Sequence, residues 1–520
     1  MPKRKLTPLA KILIVVLFIV LAFFGLRWAD KAGLLSKIAP GEKSGSGSFD
    51  GLKDLMSSSK EDDVIDIGVV TWGGYAAGQY YNNGFEASKE SRFYKDYQIL
   101  VKFHVIDDFQ ASRSAWKAGK LDLLWTTVDA FPTEVEALSE FEPKIVFQAD
   151  WSRGGDAIVV GPKINSANDL IGKKIAVAFG TPSHTFILYV LDAGNLSLTD
   201  VELVEVPNAI DAAAAFKAGR VDAAVVWSPD DEDCVKSVSG AKVLLSTKQV
   251  KYIIADAFFA KKKYIENHKK ELQSLVEGWM KGAAELNSSD AKRREAAKIL
   301  SKGFGPDINE DFCYNAIQNV RLCTYGDNRR FFGLSPHNGM TGEKLYTKMA
   351  KVYTSLRMAK QPTAWNDIID TSTLESLRHL SDDPGNSAEG KETYTKAKSA
   401  EKNASALTTK QITINFPSGS ATLEENAKQI IDLKFGDIML MSANRIRIEG
   451  NTDDTGSRER NMELSKERAK SVMDYLVKKY EIDRNRFIVI GNGPEKPVAD
   501  NSTEEGRAKN RRTDFILLEE

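Results

Sequence analysis

The run Gly450-Asn451-Thr452-Asp453-Asp454-Thr455-Gly456 is followed by Asn461 and then by Leu464-Ser465-x-x-Arg468-Ala469. From Met462 onward, Leu464, Arg468, Val472 and Leu476 recur at four-residue spacing, the period of one helix face, so a guanidinium is expected on the inward stripe. A charge in that position requires a partner, and Asp453, in the loop ahead of the helix, is the obvious one. The two could simply pair and hold the loop. Alternatively each keeps its charge for a ligand, the carboxylate accepting from an ammonium and the guanidinium offering parallel donors to a carboxylate.

A second group of residues suits a small ligand. Trp72-Gly73-Gly74-Tyr75 follows a predicted strand, where two glycines allow close backbone approach and two aromatic rings can form a wall or pack. Thr181 followed by Pro182 reads as an N-cap with proline at the first helical position, opening a helix whose bare amides favour an anion. Ser183 and Trp227 lie near the same predicted strand and helix ends. Thr127 with Asp129, Asp156 and Asp230 also sit near strand ends, and carboxylates lining a cleft imply that the ligand carries positive charge as well.

Other chemistries find little support. No nucleophile motif, P-loop or metal-ligand spacing occurs, the histidines His104, His184, His268, His337 and His379 are scattered, and neither an enzyme nor a resident cofactor is expected. Lysine plus arginine number 71 against 72 acidic residues, which argues against nucleic acid as a partner. Cys313 and Cys323 could bridge in an oxidising compartment, leaving Cys234 free.

These groups need positioning, and 520 residues are too many for a single core. Residues 1–30 combine a basic tip (Lys3, Arg4, Lys5, Lys11) with an uncharged run from Ile12 to Leu26, expected to be an uncleaved transmembrane signal anchor with its basic side cytoplasmic. Residues 31–60 contain Ser44-Gly45-Ser46-Gly47-Ser48 and read as a flexible linker. In residues 61–380, β-like runs alternate with helical patterns, which predicts an α/β domain with mostly parallel sheets. Within it, Ala115-Trp116-Lys117-Ala118-Gly119-Lys120-Leu121-Asp122 recurs as Ala215-Phe216-Lys217-Ala218-Gly219-Arg220-Val221-Asp222, implying two similar lobes and a cleft. Residues 381–408 are polar enough to expect disorder or loose helix, and fully extended could reach on the order of 90 Å. Residues 409–520 read as an α/β sandwich.

The motifs around Asp453 and Arg468, with Asn501-x-Thr503-x-x-Gly506-Arg507-Ala508-x-Asn510-Arg511-Arg512 and an opening strand and loop at Phe416 to Leu423, resemble the OmpA-like peptidoglycan-binding family. The resemblance implies that Asp453 and Arg468 bracket the zwitterionic end of diaminopimelate in a stem peptide, with Thr452, Asn461 and Arg511 as further contacts. Residues 64–369 resemble periplasmic solute-binding proteins of the nitrate, sulfonate and taurine transport family, through the Trp72 turn, the paired repeats, Gly154-Gly155-Asp156, Gly180-Thr181-Pro182-Ser183-His184 and Trp227-Ser228-Pro229. That implies a bilobal type II binding fold for a small anionic or zwitterionic solute. The expectation is a single-pass protein of the inner membrane of a Gram-negative bacterium, touching membrane lipid, its bulk periplasmic and tethered to peptidoglycan. The alternative is an envelope tether or stator-like subunit without a solute. Whether a solute would be sensed or passed to a membrane partner protein stays open at this stage.

Overall fold

In the computed structural model of the chain the described residues are 55–56, 60–61, 63–306, 308–360, 363–414, 416–417 and 419–519. The expected membrane anchor and most of the first linker lie outside them. Among the described residues no helix is long and apolar enough to cross a membrane.

The first lobe opens with β1 (Val64–Val69), β2 (Leu100–Val105), β3 (Leu123–Thr127) and β4 (Pro143–Ser152). The chain then crosses to a second lobe for β5 (Asp156–Val160), β6 (Lys174–Val177), β7 (Glu202–Glu205), β8 (Ala223–Trp227) and β9 (Lys242–Ser246), and returns for β10 (Ala255–Lys261) and β11 (Val320–Leu322). The sheets are ordered β11-β4-β10-β3-β1-β2 and β7-β6-β8-β5-β9. They are mixed rather than mostly parallel. β1 pairs in parallel with β2 and β3, and β6 with β7 and β8, but β4, β5, β9 and β10 join antiparallel because they carry the chain between the lobes.

The repeated motif has the same mechanics in each lobe. Its helices, Phe109–Lys117 and Ala209–Lys217, are capped by Asp108 and Asn208, which accept from Ala111 N (2.7 Å) and Asp211 N (2.8 Å). Each helix gives way to a glycine in the left-handed region, Gly119 (φ 74°) and Gly219 (φ 68°), where a side chain would be strained. The closing aspartates then reach the neighbouring strand: Asp122 Oδ2 accepts from Asp66 N and Asp222 Oδ2 from Lys174 N, both at 2.9 Å. The motif is therefore a device for stitching helix, turn and two parallel strands together, and its duplication marks the two lobes.

The C-terminal module contains β12 (Ala406–Ile412), β13 (Ile446–Asn451), β14 (Phe487–Gly493) and β15 (Thr513–Leu518), ordered β12-β15-β13-β14. Its first strand lies ahead of the Phe416–Leu423 stretch that the motif suggested. The long helix Arg458–Tyr480 covers β13 and β14, burying Asn461, Ser465, Ala469, Val472, Met473 and Leu476. Val472 and Leu476 of the expected stripe are buried, but in the first half of the helix Ser465 and Ala469 take the inward places and Leu464 and Arg468 are only partly buried at the margin. Glycines on the strands account for the shift. A Cβ on Gly450 would lie 2.1 Å from the Ser465 carbonyl oxygen and one on Gly491 2.6 Å from Met462 O, so helix and strands meet at backbone distance where only small side chains fit.

The segment expected to be a loose linker is instead a strap. Glu389 accepts from Arg153 (2.7 Å), and its amide donates to Asp327 Oδ1 (2.6 Å). Glu392 accepts from Lys251 (2.8 Å), and Tyr394 N donates to Asp483 Oδ2 (2.9 Å) while its hydroxyl donates to Ala443 O (2.7 Å). The module also touches the bilobal domain directly. Tyr252 N donates to Met441 O (3.1 Å), Ala443 N to Gln249 O (2.7 Å) and Lys410 Nζ to Asp192 Oδ1 (2.8 Å). Leu55–Glu520 forms one compact unit. Cys234, Cys313 and Cys323 are buried free thiols, so the bridge considered from sequence is not made.

Candidate functional site

Two constellations stand out, one in each part of the molecule. In the C-terminal module, Asp453 is buried at the start of the loop after β13 and does not pair with Arg468. Its Oδ2 accepts from Arg511 Nη1 at 2.6 Å and its Oδ1 from Thr455 N at 3.1 Å. Burial pushes its pKa up, but these donors outweigh it and hold the carboxyl below its ordinary range. Arg468 makes its hydrogen bonds to the loop after β12, with Nε donating to Ser420 O (3.0 Å) and Nη2 to Pro417 O (3.4 Å), and its guanidinium lies 4.9 Å from the Phe416 ring centroid. Burial lowers its pKa, while Asp453 acts to raise it and Arg511 to lower it, so all three charges share one neighbourhood.

The remaining contacts hold the loop in shape. Asn461 Nδ2 donates to Thr455 O (3.0 Å), and Thr452 Oγ1 to Asp453 O (2.8 Å). Arg511 also bonds Glu504 (2.7 Å), a residue the sequence reading had not singled out. Thr452, Asp453, Asn461 and Arg511 are thus brought together, with Arg468 alongside. Arg511 is neutralised between Asp453 and Glu504, whereas Arg468 bonds only backbone carbonyls, so its guanidinium keeps a charge that suits a ligand carboxylate.

In the bilobal domain the constellation is a floor of carboxylates. Asp256 lies opposite Thr127 in β3 and opposite Asp150 in β4, so all three side chains leave the same face of the first sheet. Tyr75 OH donates to Asp256 Oδ1 (2.6 Å) and Trp72 Nε1 to Asp150 Oδ2 (3.2 Å). Ser152 Oγ donates to Asp156 Oδ2 (2.7 Å) and Ala255 N to Asp129 Oδ1 (3.4 Å). Asp129, Asp150, Asp156 and Asp256 are all buried. Burial raises the pKa of each, to about 7 for Asp129 and Asp156 and far above the ordinary value for Asp150 and Asp256, and the mutual repulsion of the carboxylates adds to it.

This floor spans both crossings between the lobes. Thr247, just after β9, accepts through Oγ1 from Gly154 N (2.7 Å), and its amide donates to Asp156 O (3.0 Å). Trp72 reaches across as well, since a Cβ on Gly155 would fall 2.0 Å from its ring. A Cβ on Gly74 would fall 1.6 Å from Asp150 Oδ2, so this glycine permits the approach. Gly73 instead packs its backbone against Ala316 and does not face the carboxylates.

Three expectations need correction. Thr181 precedes the helix Pro182–Ala193 but does not cap it, because its hydroxyl donates to Ala178 O (2.8 Å); Thr185, one turn on, is the residue that acts on Asp129. Asp230 starts the helix Asp230–Ser237 beside Lys217, and its neighbour Asp231 is the one that acts on Asp156. Ser183 accepts from Trp227 Nε1 at 3.0 Å, which joins helix to strand within the second lobe, and Trp227 lies opposite Asp156. Asp150 and Asp256 were missed, although each is the one acid in a largely apolar strand, a signal the sequence did carry.

Comparison with known proteins agrees with both parts. Residues 415–511 match the OmpA family and residues 87–301 the NMT1-like family. Outer membrane protein A of Bordetella avium is 40% identical over 103 residues, 20% of this chain and 53% of that protein. The peptidoglycan-associated lipoprotein of Pseudomonas putida is 36% identical over 103 residues, 20% of this chain and 61% of that one. The match thus spans about half to three-fifths of these curated relatives. Among solved structures, the periplasmic aliphatic sulphonate binding protein SsuA from Escherichia coli aligns with a TM-score of 0.46 and 18% identity, covering 59% of this chain and 98% of that one. The chain therefore carries an OmpA domain at its C-terminus, preceded by an NMT1-like domain.

Proposed function

We propose that the protein captures or senses a small solute between its two lobes while its C-terminal module grips peptidoglycan through the stem peptide. The observation that carries the second half is the sharing of one site by Asp453, Arg511 and Arg468, whose charges match the ammonium and carboxylate of a diaminopimelate terminus. Matches to the OmpA family and to a peptidoglycan-associated lipoprotein support it. The first half rests on the two lobes, the paired crossings and the match to the NMT1-like family. A membrane anchor at residues 1–30, with everything after Asp30 in the periplasm, completes the reading from sequence.

The test for the grip is co-sedimentation of the full chain with diaminopimelate-type peptidoglycan, in which free diaminopimelate is expected to compete. Binding that free diaminopimelate leaves untouched would exclude the proposed grip. Reporter fusions at Lys60 test the topology, with periplasmic activity expected.

A further inference from the structure

The bilobal domain buries four carboxylates on one floor, and the donors around them do not balance the charge. Asp150, Asp156 and Asp256 each receive one protein hydrogen bond at the distances given above, from an indole and two hydroxyls, and Asp129 is met by the Ala255 amide and by Thr185. All of these donors are neutral. Of the basic groups nearby, Arg113 is committed to Glu134, which it meets with two hydrogen bonds (2.7 and 3.1 Å), and Arg153 bonds Glu389 on the strap while acting on Asp150 without a hydrogen bond to it, one shared cation against four acids. Lys248 acts on Asp231, which itself adds a further negative charge facing Asp156.

A second observation is independent of the charges. Thr127 Oγ1 is buried without a hydrogen-bond partner, and Thr127 shares its sheet face with Asp256 directly opposite. Asp150 Oδ1 is likewise buried and unpartnered. Unsatisfied oxygens at this depth are costly; an ionised Asp150 Oδ1 calls for a donor, and the Thr127 hydroxyl is able to accept from the same one.

We infer that the cleft takes a solute through an ammonium group, held by Asp150, Asp156 and Asp256 with Thr127 as a further oxygen acceptor. The inference rests on the capture reading above and narrows it: an anion without a cationic group does not suit this floor. Trp72 and Tyr75 supply an aromatic edge on the first-lobe side, and each is already fixed by one of the carboxylates. The crossings at residues 152–156 and 246–255 place the floor where the lobes rotate apart, so a solute would enter on opening and be enclosed on closing.

The experiment is calorimetry on the full chain with matched probes: ethanolamine and taurine, which carry an ammonium, and isethionate, which has a hydroxyl where taurine has its amine. Binding of an amine with isethionate at least tenfold weaker is the expected result. Asp150→Asn and Asp256→Asn, both near-isosteric, should each weaken amine binding about tenfold or more while leaving the melting transition in place. Asp230→Asn, beside Lys217, should bind as the parent does. Amine affinity should also rise between pH 5 and pH 8, as the floor loses protons to solvent and its carboxylates become available to the ammonium. If isethionate binds as well as taurine, the capture reading stands and the ammonium site is overturned. If no probe of either kind binds, both fall.

Discussion

Arg511 Nη1 meets Asp453 Oδ2 at 2.6 Å, and Arg468 makes its hydrogen bonds to the carbonyls of Ser420 and Pro417 instead. The acid of the C-terminal site is therefore held by the residue contributed from the end of the domain, and the helix arginine is oriented by the loop that follows β12. Removing either arginine has different consequences, because only one of them fixes the acid.

Asp453→Asn should weaken peptidoglycan binding about ten- to a hundredfold, the range expected for a charge-assisted hydrogen bond of roughly 1.5–3 kcal/mol. The fold should persist, since Asn can still accept from Thr455 N. The folded-state pKa of Asp453 is depressed, so its ionised contribution is complete above the unfolded carboxylate value and is lost only as pH falls through the folded one. Co-sedimentation should accordingly stay level from pH 8 down to about 5 and decline only below the ordinary carboxylate range.

Arg468→Ala should cost binding and also lower the melting temperature, because it releases two carbonyl contacts and a ring face. Arg468→Lys keeps the charge but not the planar fork, so affinity should remain well below the parent while the melting temperature recovers in part. Equal binding by Lys and Arg would reduce the role of this side chain to that of a point charge.

The acids of the cleft floor predict an unusual pH dependence of stability. Asp129 and Asp156 have folded-state pKa values raised to about 7, so their contribution to stability is complete below the unfolded carboxylate range and is lost as pH rises through about 7. Glu285, held near 2 by Arg92 and Lys292 despite partial burial, acts in the opposite sense and only at strongly acid pH. Melting curves of the ligand-free chain should therefore shift down between pH 5 and pH 8, and Asp156→Asn should flatten that slope.

Gly450→Ala places a Cβ 2.1 Å from the Ser465 carbonyl oxygen, which neither backbone can yield without moving the helix. Overpacking of this kind costs about 1–3 kcal/mol. In a domain of about this size each kcal/mol lowers the melting temperature by roughly 4–8 °C. Differential scanning calorimetry should show the loss, with the bilobal domain of the same chain as internal reference.

Much of this organisation could be read before the structure, because its signals are local. The paired A-x-K-A-G-x-x-D runs encode a helix, a left-handed turn and an aspartate that binds the next strand, all within a few residues. The loop and helix around Asp453 are equally self-contained. What escaped depends on partners distant in sequence. Asp150 and Asp256 become neighbours only through antiparallel pairing of strands about a hundred residues apart, and Asp453 and Arg511 lie 58 residues apart. The inward stripe of the long helix holds at Val472 and Leu476 but is off by one residue in the first half, because the close approach of Gly450 and Gly491 favours Ser465 and Ala469 over Leu464 and Arg468. The strap looked unstructured because its own composition is polar; its order comes from Arg153, Lys251, Asp327 and Asp483 on either side of it.

Under the proposed grip on peptidoglycan, that strap also changes what a pull on the cell wall would do. A free segment of its length would act as a leash, taking up slack on the order of 90 Å before any load reached the solute-binding lobes. Pinned between Arg153 and Asp483, it has no slack to pay out, and displacement of the peptidoglycan-facing module bears directly on the crossing that carries Gly154 and Asp156.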